Sequence, residues 1–309
     1  MEPLADTARL PNAGRSPALI RAMPWVFVLI WSTGFVVARF GMPHAPPFSF
    51  LVLRYALSLA CFLVWIAIAR VQWPATPVQW LHLAVVGMLL HAGYLGGVWA
   101  AVKAGIGAGT VSLIVGLQPV LTALWITVTT RGLDRDGPQV SARQWLGLAL
   151  GLGGLALVVW HKLGGGEVTP RNLLFAAFGL LAITTGTLYQ KRYVAACDVR
   201  SASAIQLLAA LAATSPLALL ETESLVWHAQ LIGAMAWSVF VLTLGGSSLL
   251  YLLIQRGAAT RVTSLMYLVP PCTAMLAWTL FGEAVTLSMF VGTVMTVGGV
   301  ALVVRTPAT

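Results

Sequence analysis

Charged side chains are scarce in this sequence of 309 residues. Only 27 of them are Asp, Glu, Lys or Arg, a share of 9%, whereas an average soluble domain carries about 25% charged residues. A surface with so few charges does not stay dissolved in water, so a soluble globular domain is excluded. Because hydrophobic residues make up 59% of the chain, an intrinsically disordered chain and a coiled coil are excluded as well.

Cysteines and acidic residues are also few, and their positions exclude several kinds of site. The three cysteines form neither a disulfide framework nor the spacing of a metal site. The nine acidic residues fall in tails, loops or the ends of apolar runs, so none is left for a proton relay or a sodium site inside a membrane. No Walker A, zinc-helix or dinucleotide glycine motif is present. We therefore expect no cofactor, no metal and no catalytic residues.

What the sequence has instead is a succession of apolar runs of about the 20 residues that a helix needs to cross a bilayer. Its mean hydropathy is +0.88. The runs are separated by proline, glycine and clusters of charge. This pattern predicts an all-α polytopic membrane protein with ten transmembrane helices. The expected spans are Pro24–Arg39, Phe48–Ala69, Trp80–Ala101, Ala108–Thr130, Arg143–Trp160, Asn172–Lys191, Ala202–Leu220, Gly233–Gln255, Val262–Phe281 and Val285–Val304.

The net charge of +9 indicates membrane topology and not a nucleic-acid partner. Lys and Arg in short loops remain on the cytoplasmic side. With the N-terminus inside, 13 basic residues fall on that side and 4 on the other, which predicts that both termini are cytoplasmic. The run after the polar N-terminal tail lacks a signal-peptide cleavage site, so we expect the first span to stay in the membrane. Arg54 lies inside the second span, and we expect its side chain to extend to the lipid headgroups.

An internal repeat emerges when the chain is compared with itself. The fourth run matches the ninth at a shift of 151 residues, the fifth matches the tenth at 145, and the first matches the sixth at 152. Each half then holds five spans, and because five is odd the second half enters the bilayer from the opposite side. Inverted repeats of this kind are typical of secondary transporters. The predicted organisation is a cytoplasmic tail 1–22, a first repeat 23–160, an external linker 161–171, a second repeat 172–305 and a C-terminal tail 306–309.

These features resemble the ten-span members of the drug/metabolite transporter superfamily, which have two EamA-type domains and include bacterial exporters of aromatic amino acids. The resemblance is carried by a proline in the fourth span of each half, Pro119 and Pro270, and by glycine-rich closing spans. The family's Gly-Glu after the proline-bearing span is present as Gly282-Glu283, whereas the first half has Arg131-Gly132 there. The resemblance implies an exporter of amino acids or related metabolites. It also implies a central cavity lined by the first, third and fourth spans of each half.

Polar and aromatic residues at mid-span positions are candidates for substrate binding. Hydroxyls and amides can donate hydrogen bonds to the carboxylate of an amino acid, and an aromatic face can bind its ammonium group or ring. His91 is the only ionisable residue placed near the membrane centre, so a coupled proton would use it, and facilitated diffusion is the alternative. Each candidate also has a structural interpretation, as an interface anchor or as a hydroxyl bonded to a nearby carbonyl. The candidates are Trp31, Thr33, His91, Tyr94, Gln118, Thr185, Tyr189, Tyr251 and Tyr267.

Prolines and glycines are expected to shape the helices. Pro119 and Pro270 each remove a backbone donor at membrane depth, which predicts freed carbonyls along the substrate path or, alternatively, a simple packing kink. Small residues in the closing spans let helices approach closely. We expect this contact to form within one chain, which leaves a monomer, and a dimer contact is the alternative. The packing glycines are Gly147, Gly153, Gly154, Gly292, Gly298 and Gly299.

Two other functions were compared with amino-acid or metabolite export by alternating access. A carrier of the same fold for phosphorylated sugars or nucleotides needs several Lys or Arg residues in its cavity, and the sequence does not place them there. An intramembrane enzyme needs a nucleophile with a base or clustered carboxylates. We therefore expect a transporter whose partners are a small molecule and membrane lipid. Arg outnumbers Lys by 15 to 3, which is compatible with the inner membrane of a bacterium with a GC-rich genome.

Overall fold

The structure is a computed structural model, and it describes residues 17–122, 125, 142–164, 166–246, 248–249 and 266–304. In these residues all regular secondary structure is helical and no strand occurs. The predicted all-α membrane fold is confirmed. We number the helices α1 (Pro17–Gly41), α2 (Pro47–Ala69), α3 (Pro77–Lys103), α4 (Ala108–Thr122), α5 (Ala142–Gly164), α6 (Pro170–Tyr193), α7 (Val199–Leu219), α8 (Ala229–Gly245), α9 (Met266–Phe281) and α10 (Leu287–Val304).

Six of these helices are long and apolar enough to cross a bilayer, namely α1, α2, α3, α5, α6 and α7. The other four are shorter apolar helices within the described ranges. Large hydrophobic side chains such as Ile68, Trp160 and Leu219 point outward and are almost fully exposed. An apolar outer surface of this kind suits lipid and not water.

Helix starts follow simple local chemistry. Pro47, Pro77 and Pro170 each occupy the first turn of a helix, where the missing N–H would have no partner anyway. The side chain of Thr169 accepts a hydrogen bond from the Asn172 N–H, and Asn172 returns one to Thr169, which forms a capping box. The first helix begins at Pro17, seven residues before the expected Pro24, which lies inside it.

The described connections between helices lie at two ends of the bundle. Segments 42–46, 104–107, 166–169, 220–228 and 282–286 meet at one end, which we call the Glu167 end. Segments 70–76 and 194–198 lie at the other, the Cys197 end, where Gln79 hydrogen bonds to the Ala195 backbone. The helix α1 therefore ends at the same end where α6 begins, so equivalent helices of the two repeats run in opposite directions.

Glutamates from other parts of the chain cap two helices at the Glu167 end. Glu283, beyond α9, accepts hydrogen bonds from the backbone N–H groups of Ala108 at 3.0 Å and Gly109 at 3.4 Å, at the start of α4. Glu221, beyond α7, accepts from the N–H groups that open α2, at 2.9 and 2.7 Å. The free N–H groups of a helix start carry partial positive charge, so carboxylates stabilise them. Each contact joins the second half of the chain to the first.

Glu167 itself is held by a cluster of donors. Its Oε1 atom accepts from the Gly107 N–H at 3.0 Å, from the Thr110 hydroxyl at 2.9 Å and from the Lys162 ammonium at 2.8 Å. Burial alone would raise the pKa of the Glu167 carboxyl. The hydrogen bond and charge of Lys162, with the bonds from Thr110 and Gly107, outweigh burial and hold this pKa below its usual value.

Glycines bring α5 and α10 into backbone contact. A methyl group added at Gly154 would lie 2.4 Å from the Gly292 carbonyl oxygen, and one at Gly299 would lie 2.4 Å from the Gly147 oxygen. By contrast, Gly153 has room for a methyl group, whose nearest neighbour would be the Met295 side chain at 3.5 Å, and Gly298 has open space. The two closing helices are therefore joined along one narrow line of small residues.

We predict that Gly154→Ala lowers the free energy of unfolding by about 1 to 3 kcal/mol, because the added methyl forces the two backbones apart. Thermal unfolding of the purified protein in detergent measures this change. Gly298→Ala is the matched control, since its methyl group enters open space. Equal melting temperatures for the two variants would contradict the packing described for Gly154.

We also predict a pH dependence of stability that comes from Glu167. Its pKa is lower in the folded protein than in the unfolded chain, so its stabilising contribution is present above the ordinary carboxyl pKa and disappears as the pH falls through the folded pKa. The Glu167→Gln variant should melt below wild type at pH 7 and converge with it in acid. Glu223→Gln, at an exposed ion pair with Lys103, serves as control and should change the pH profile less.

Candidate functional site

Four polar side chains from four helices meet between the two halves of the chain. We call them the interface cluster: Arg54 on α2, His91 on α3, Gln206 on α7 and Thr243 on α8. The Arg54 guanidinium donates hydrogen bonds from Nε at 3.3 Å and Nη2 at 3.1 Å to the Thr243 hydroxyl. The Gln206 side chain makes a polar contact with the His91 ring. Both contacts join a helix of the first half to a helix of the second.

The two contacts of the interface cluster are equivalent in the repeat. Gln206 follows Arg54 by 152 residues, and Thr243 follows His91 by 152 residues. This is the same shift that aligns Thr33 with Thr185. The inverted halves therefore build the same pair of helix contacts twice, with Arg and Thr in one pair and Gln and His in the other. The positive charge of the cluster lies on Arg54, and its counterpart is neutral.

The expectation that Arg54 extends to the headgroups is wrong. Its side chain is only 7% exposed, because this face of α2 packs against α8 and not against lipid. It forms no ion pair with any residue that the structure describes. Arg54 also corrects the expectation that His91 is the only ionisable residue near the centre, since the two lie close enough for the guanidinium charge to act on the imidazole.

Both α3 and α8 contain a π-helical segment where they contribute to the interface cluster. Residues Met88–Leu95 and Trp237–Gly245 adopt this wider helix, and His91 and Thr243 lie within them. A π-helix shifts the backbone hydrogen bonds by one residue; it is rare, and it is frequently found at functional sites. Here side chains bond to its carbonyls: the Tyr55 hydroxyl donates to the His91 carbonyl, and the Thr243 hydroxyl donates to the Ser238 carbonyl, each at 2.8 Å.

The two prolines lie where α4 and α9 approach each other. The α4 helix is interrupted by a turn at residues 116–117, and Pro119 follows in a new helical turn. In α9 a 3₁₀ turn, Met266–Leu268, precedes the α-helical part, and Pro270 lies in its first turn. A methyl group on Gly116 would lie 2.7 Å from the Pro270 ring, so the two irregular segments touch. Pro119 thus follows a turn and Pro270 follows a 3₁₀ turn, and neither proline kinks a regular α-helix.

Three of the other candidate residues contact neighbouring side chains. The Thr33 hydroxyl accepts a hydrogen bond from the Trp237 indole at 2.9 Å, and the Gln118 amide donates to the Thr187 hydroxyl at 2.8 Å. Both bonds cross between the halves of the chain. Trp31 is half-buried, with its ring 5.6 Å from that of Phe27. Sequence analysis missed Trp237 and Thr187 because neither stands out from the other polar or aromatic residues of its span.

The remaining candidates lie apart from the interface cluster or outside the described residues. The Tyr189 hydroxyl is hydrogen bonded to His82 at 2.8 Å, near the Cys197 end. Thr185 donates its hydroxyl hydrogen to carbonyls of its own helix. Tyr267 is half-buried in the 3₁₀ turn of α9. Tyr251 lies outside the residues that the structure describes.

A cavity of about 450 Å³ lies at the Cys197 end, between α3, α6 and α7. Its lining includes Cys197, Gln190 and Lys191 near the end of the bundle, and Leu83, Thr187 and Gln206 deeper in. Because Gln206 belongs to this lining and also contacts His91, the cavity reaches the interface cluster. Thr187, another residue of the cavity wall, accepts a hydrogen bond from Gln118, so the wall also adjoins Gln118.

We predict that Tyr55→Phe lowers the free energy of unfolding by about 1 to 3 kcal/mol, because the buried Tyr55 side chain no longer donates a hydrogen bond to the His91 carbonyl. Thermal unfolding in detergent provides the measurement. Tyr193→Phe makes the same chemical change at a side chain that is 47% exposed, and should leave the melting temperature nearly unchanged. An unchanged melting temperature for Tyr55→Phe would show that the π segment does not depend on this bond.

Comparison with known proteins identifies the family. The model of the EamA-like transporter family matches residues 22–160 and again residues 171–305. A probable amino-acid metabolite efflux pump of Salmonella typhimurium is 26% identical over 283 residues, covering 88% of this chain and 90% of that protein. A protein of Escherichia coli with the same description is 23% identical, with the same coverage, and an uncharacterized transporter of Bacillus subtilis is 26% identical over 89% of this chain and 88% of its own length.

A solved crystal structure shares the fold, with a TM-score of 0.61 and 19% sequence identity over 93% of this chain and 96% of that one. The family model covers almost the whole chain in two successive matches. Each match corresponds to one copy of the internal repeat. The chain belongs to the EamA-like transporter family.

Proposed function

We propose that this protein exports amino acids or related amphipathic metabolites by alternating access. The observation that carries the proposal is the double match to a transporter family, together with two relatives described as probable amino-acid metabolite efflux pumps. The names of family and relatives indicate a transporter and not an enzyme. The interface cluster supports the proposal, because it lies between two inverted halves, where carriers of this construction bind their substrates.

The proposed topology has both termini in the cytoplasm and the chain in a bacterial inner membrane. The 13 to 4 distribution of basic residues supports this orientation. It makes the Cys197 end cytoplasmic, so the cavity at that end receives solute from the cell interior. The Glu167 end then faces outward, and the contacts of Glu221 and Glu283 across the halves close it.

The proposed substrate path runs from this cavity along the boundary between the halves. Thr33 and Gln118 form polar contacts across that boundary, and a bound solute would compete for them. His91 and Tyr94 lie beside Arg54, and Trp31 presents an aromatic ring on α1. Pro119 follows a turn in α4 and Pro270 follows a 3₁₀ turn in α9, at the point where these two helices meet. Transport is either facilitated diffusion or coupled to a proton on His91.

The test is transport by the purified protein in liposomes, with a panel of labelled amino acids and related metabolites. We expect wild type to move at least one amino acid. Trp31→Ala should lower its rate by about 3- to 30-fold, the range expected for loss of an aromatic contact with the solute.

Trp160→Ala is the matched control, since Trp160 is 80% exposed on α5 and should not contact solute. Failure of wild type to move any member of the panel would overturn the proposed function. Equal rates for the Trp31→Ala and Trp160→Ala variants would remove Trp31 from the substrate path.

A further inference from the structure

Arg54 is a buried cation without a described counter-charge. A guanidinium has five N–H groups, and two of them, one on Nε and one on Nη2, donate to the single hydroxyl of Thr243. Its Nη1 atom forms no hydrogen bond with any residue in the described part of the chain. Arg54 is only 7% exposed. A charge in such surroundings is unfavourable unless an anion or several acceptors compensate it.

The described groups around the guanidinium are neutral and include a second donor without a described acceptor. Tyr55, Tyr94 and His91 lie close enough to interact electrostatically with the Arg54 charge. The Tyr55 hydroxyl already donates to the His91 carbonyl. The Tyr94 hydroxyl, by contrast, makes no hydrogen bond to a described residue, although this side chain is only 6% exposed. The Arg54 guanidinium and the Tyr94 hydroxyl can therefore both donate to a ligand at the boundary between the halves.

We propose that Arg54, assisted by Tyr94, binds the carboxylate of the transported solute. The inference rests on the proposed function, since it deepens the description of the same transport site. An arginine fork matches the two oxygens of a carboxylate, and a charge-assisted pair of this type is strong and directional. The solute anion then supplies the counter-charge that the described residues do not.

The charge of the interface cluster favours a carboxylate over a phosphate. A phosphate monoester carries about −1.5 to −2 charges at pH 7. The cluster provides one fixed positive charge, because the repeat partner of Arg54 is the neutral Gln206. Tyr94 adds one neutral donor, whereas the Thr243 hydroxyl hydrogen is already bonded to the Ser238 carbonyl. One guanidinium neutralises one carboxylate, so a monocarboxylate fits, and the ammonium of an amino acid can face the neighbouring aromatic rings.

The cavity at the Cys197 end approaches this site at Gln206. Gln206 lies in the cavity wall and contacts His91, which lies near Arg54. Lys191 stands at the outer part of the same wall and adds a positive charge there. Positive groups along an entry path raise the local concentration of anions. A carboxylate therefore meets favourable charge first at Lys191 and then at Arg54.

The experiment compares amino acids with their carboxamides, which keep the ammonium group and the side chain but lack the negative charge. The probes are L-phenylalanine, L-leucine and L-threonine with the three corresponding amides. They are tested as transported solutes in liposomes and as stabilisers in thermal unfolding, since a ligand that binds only the folded state raises the melting temperature. We expect wild type to prefer the acid over the amide by about 10- to 100-fold.

The variants separate a binding role of Arg54 from a structural one. Arg54→Gln, which places the residue of its repeat partner there, should reduce the preference to within about twofold while amide binding persists. Arg54→Lys should give an intermediate preference, because it keeps the charge but not the planar fork. Arg171→Gln is the matched control: it removes an exposed arginine whose guanidinium lies over Phe175, and it should keep the full preference.

Each outcome decides the inference. A preference for the acid that survives in Arg54→Gln would overturn it. If that variant does not fold, an unchanged preference in Arg54→Lys would overturn it, and a loss of at least about threefold would support it. If wild type moves no probe, the proposed function fails for these solutes, and the melting temperatures decide alone: stabilisation by acids but not by amides supports the carboxylate site, and no difference between them overturns it.

Discussion

Inside a bilayer, a backbone carbonyl that leaves the regular α-helical pattern has no water to bond with, so each departure needs a partner from elsewhere in the chain. This constraint explains where the irregular helices of the protein lie. The π segment of α3 has the Tyr55 hydroxyl at one of its carbonyls, and the start of α9 has hydroxyl contacts with Ser32 of α1. The π segment of α3 receives its donor from α2 of the same half, whereas the start of α9 receives one from α1 of the other half.

The repeat provides equivalent backbone positions, and the side chains at those positions then make the halves different. Arg54 and Gln206 occupy one pair of equivalent positions, and His91 and Thr243 occupy the other. A fully symmetric cluster would place two guanidinium groups close together in a medium of low dielectric constant, at a large electrostatic cost. Keeping the charge in one half and an amide in the other retains a polar contact at both positions while avoiding that repulsion.

The sequence predicted the all-helical membrane fold because the scarcity of charge and the apolar runs are properties of single segments. It did not predict contacts that depend on two distant segments. Arg54 was assigned to the headgroups from its depth in the span, which says nothing about which neighbour its face meets. Neither π segment contains a proline, and the one glycine in each, Gly93 and Gly245, does not by itself predict a π-helix. The glutamate caps depend on residues more than 170 positions away, namely Glu221 from Phe48 and Glu283 from Ala108. A signal was present at one place: a shift of 152 pairs Arg54 with Gln206, and each is a long polar side chain within an apolar run.

The backbone contact between α5 and α10 has a consequence for motion. Carbonyl oxygens of each helix lie where a methyl group of the other would have to fit. Separating these helices would open a void that neither lipid tails nor water fills well, whereas small rotations about the line of contact keep the surfaces touching. The seam of glycines is therefore suited to act as the hinge of the molecule. In the proposed transport cycle the two halves would tilt about this seam while the opposite face of the bundle opens, so the smallest side chains would set the direction of the largest movement.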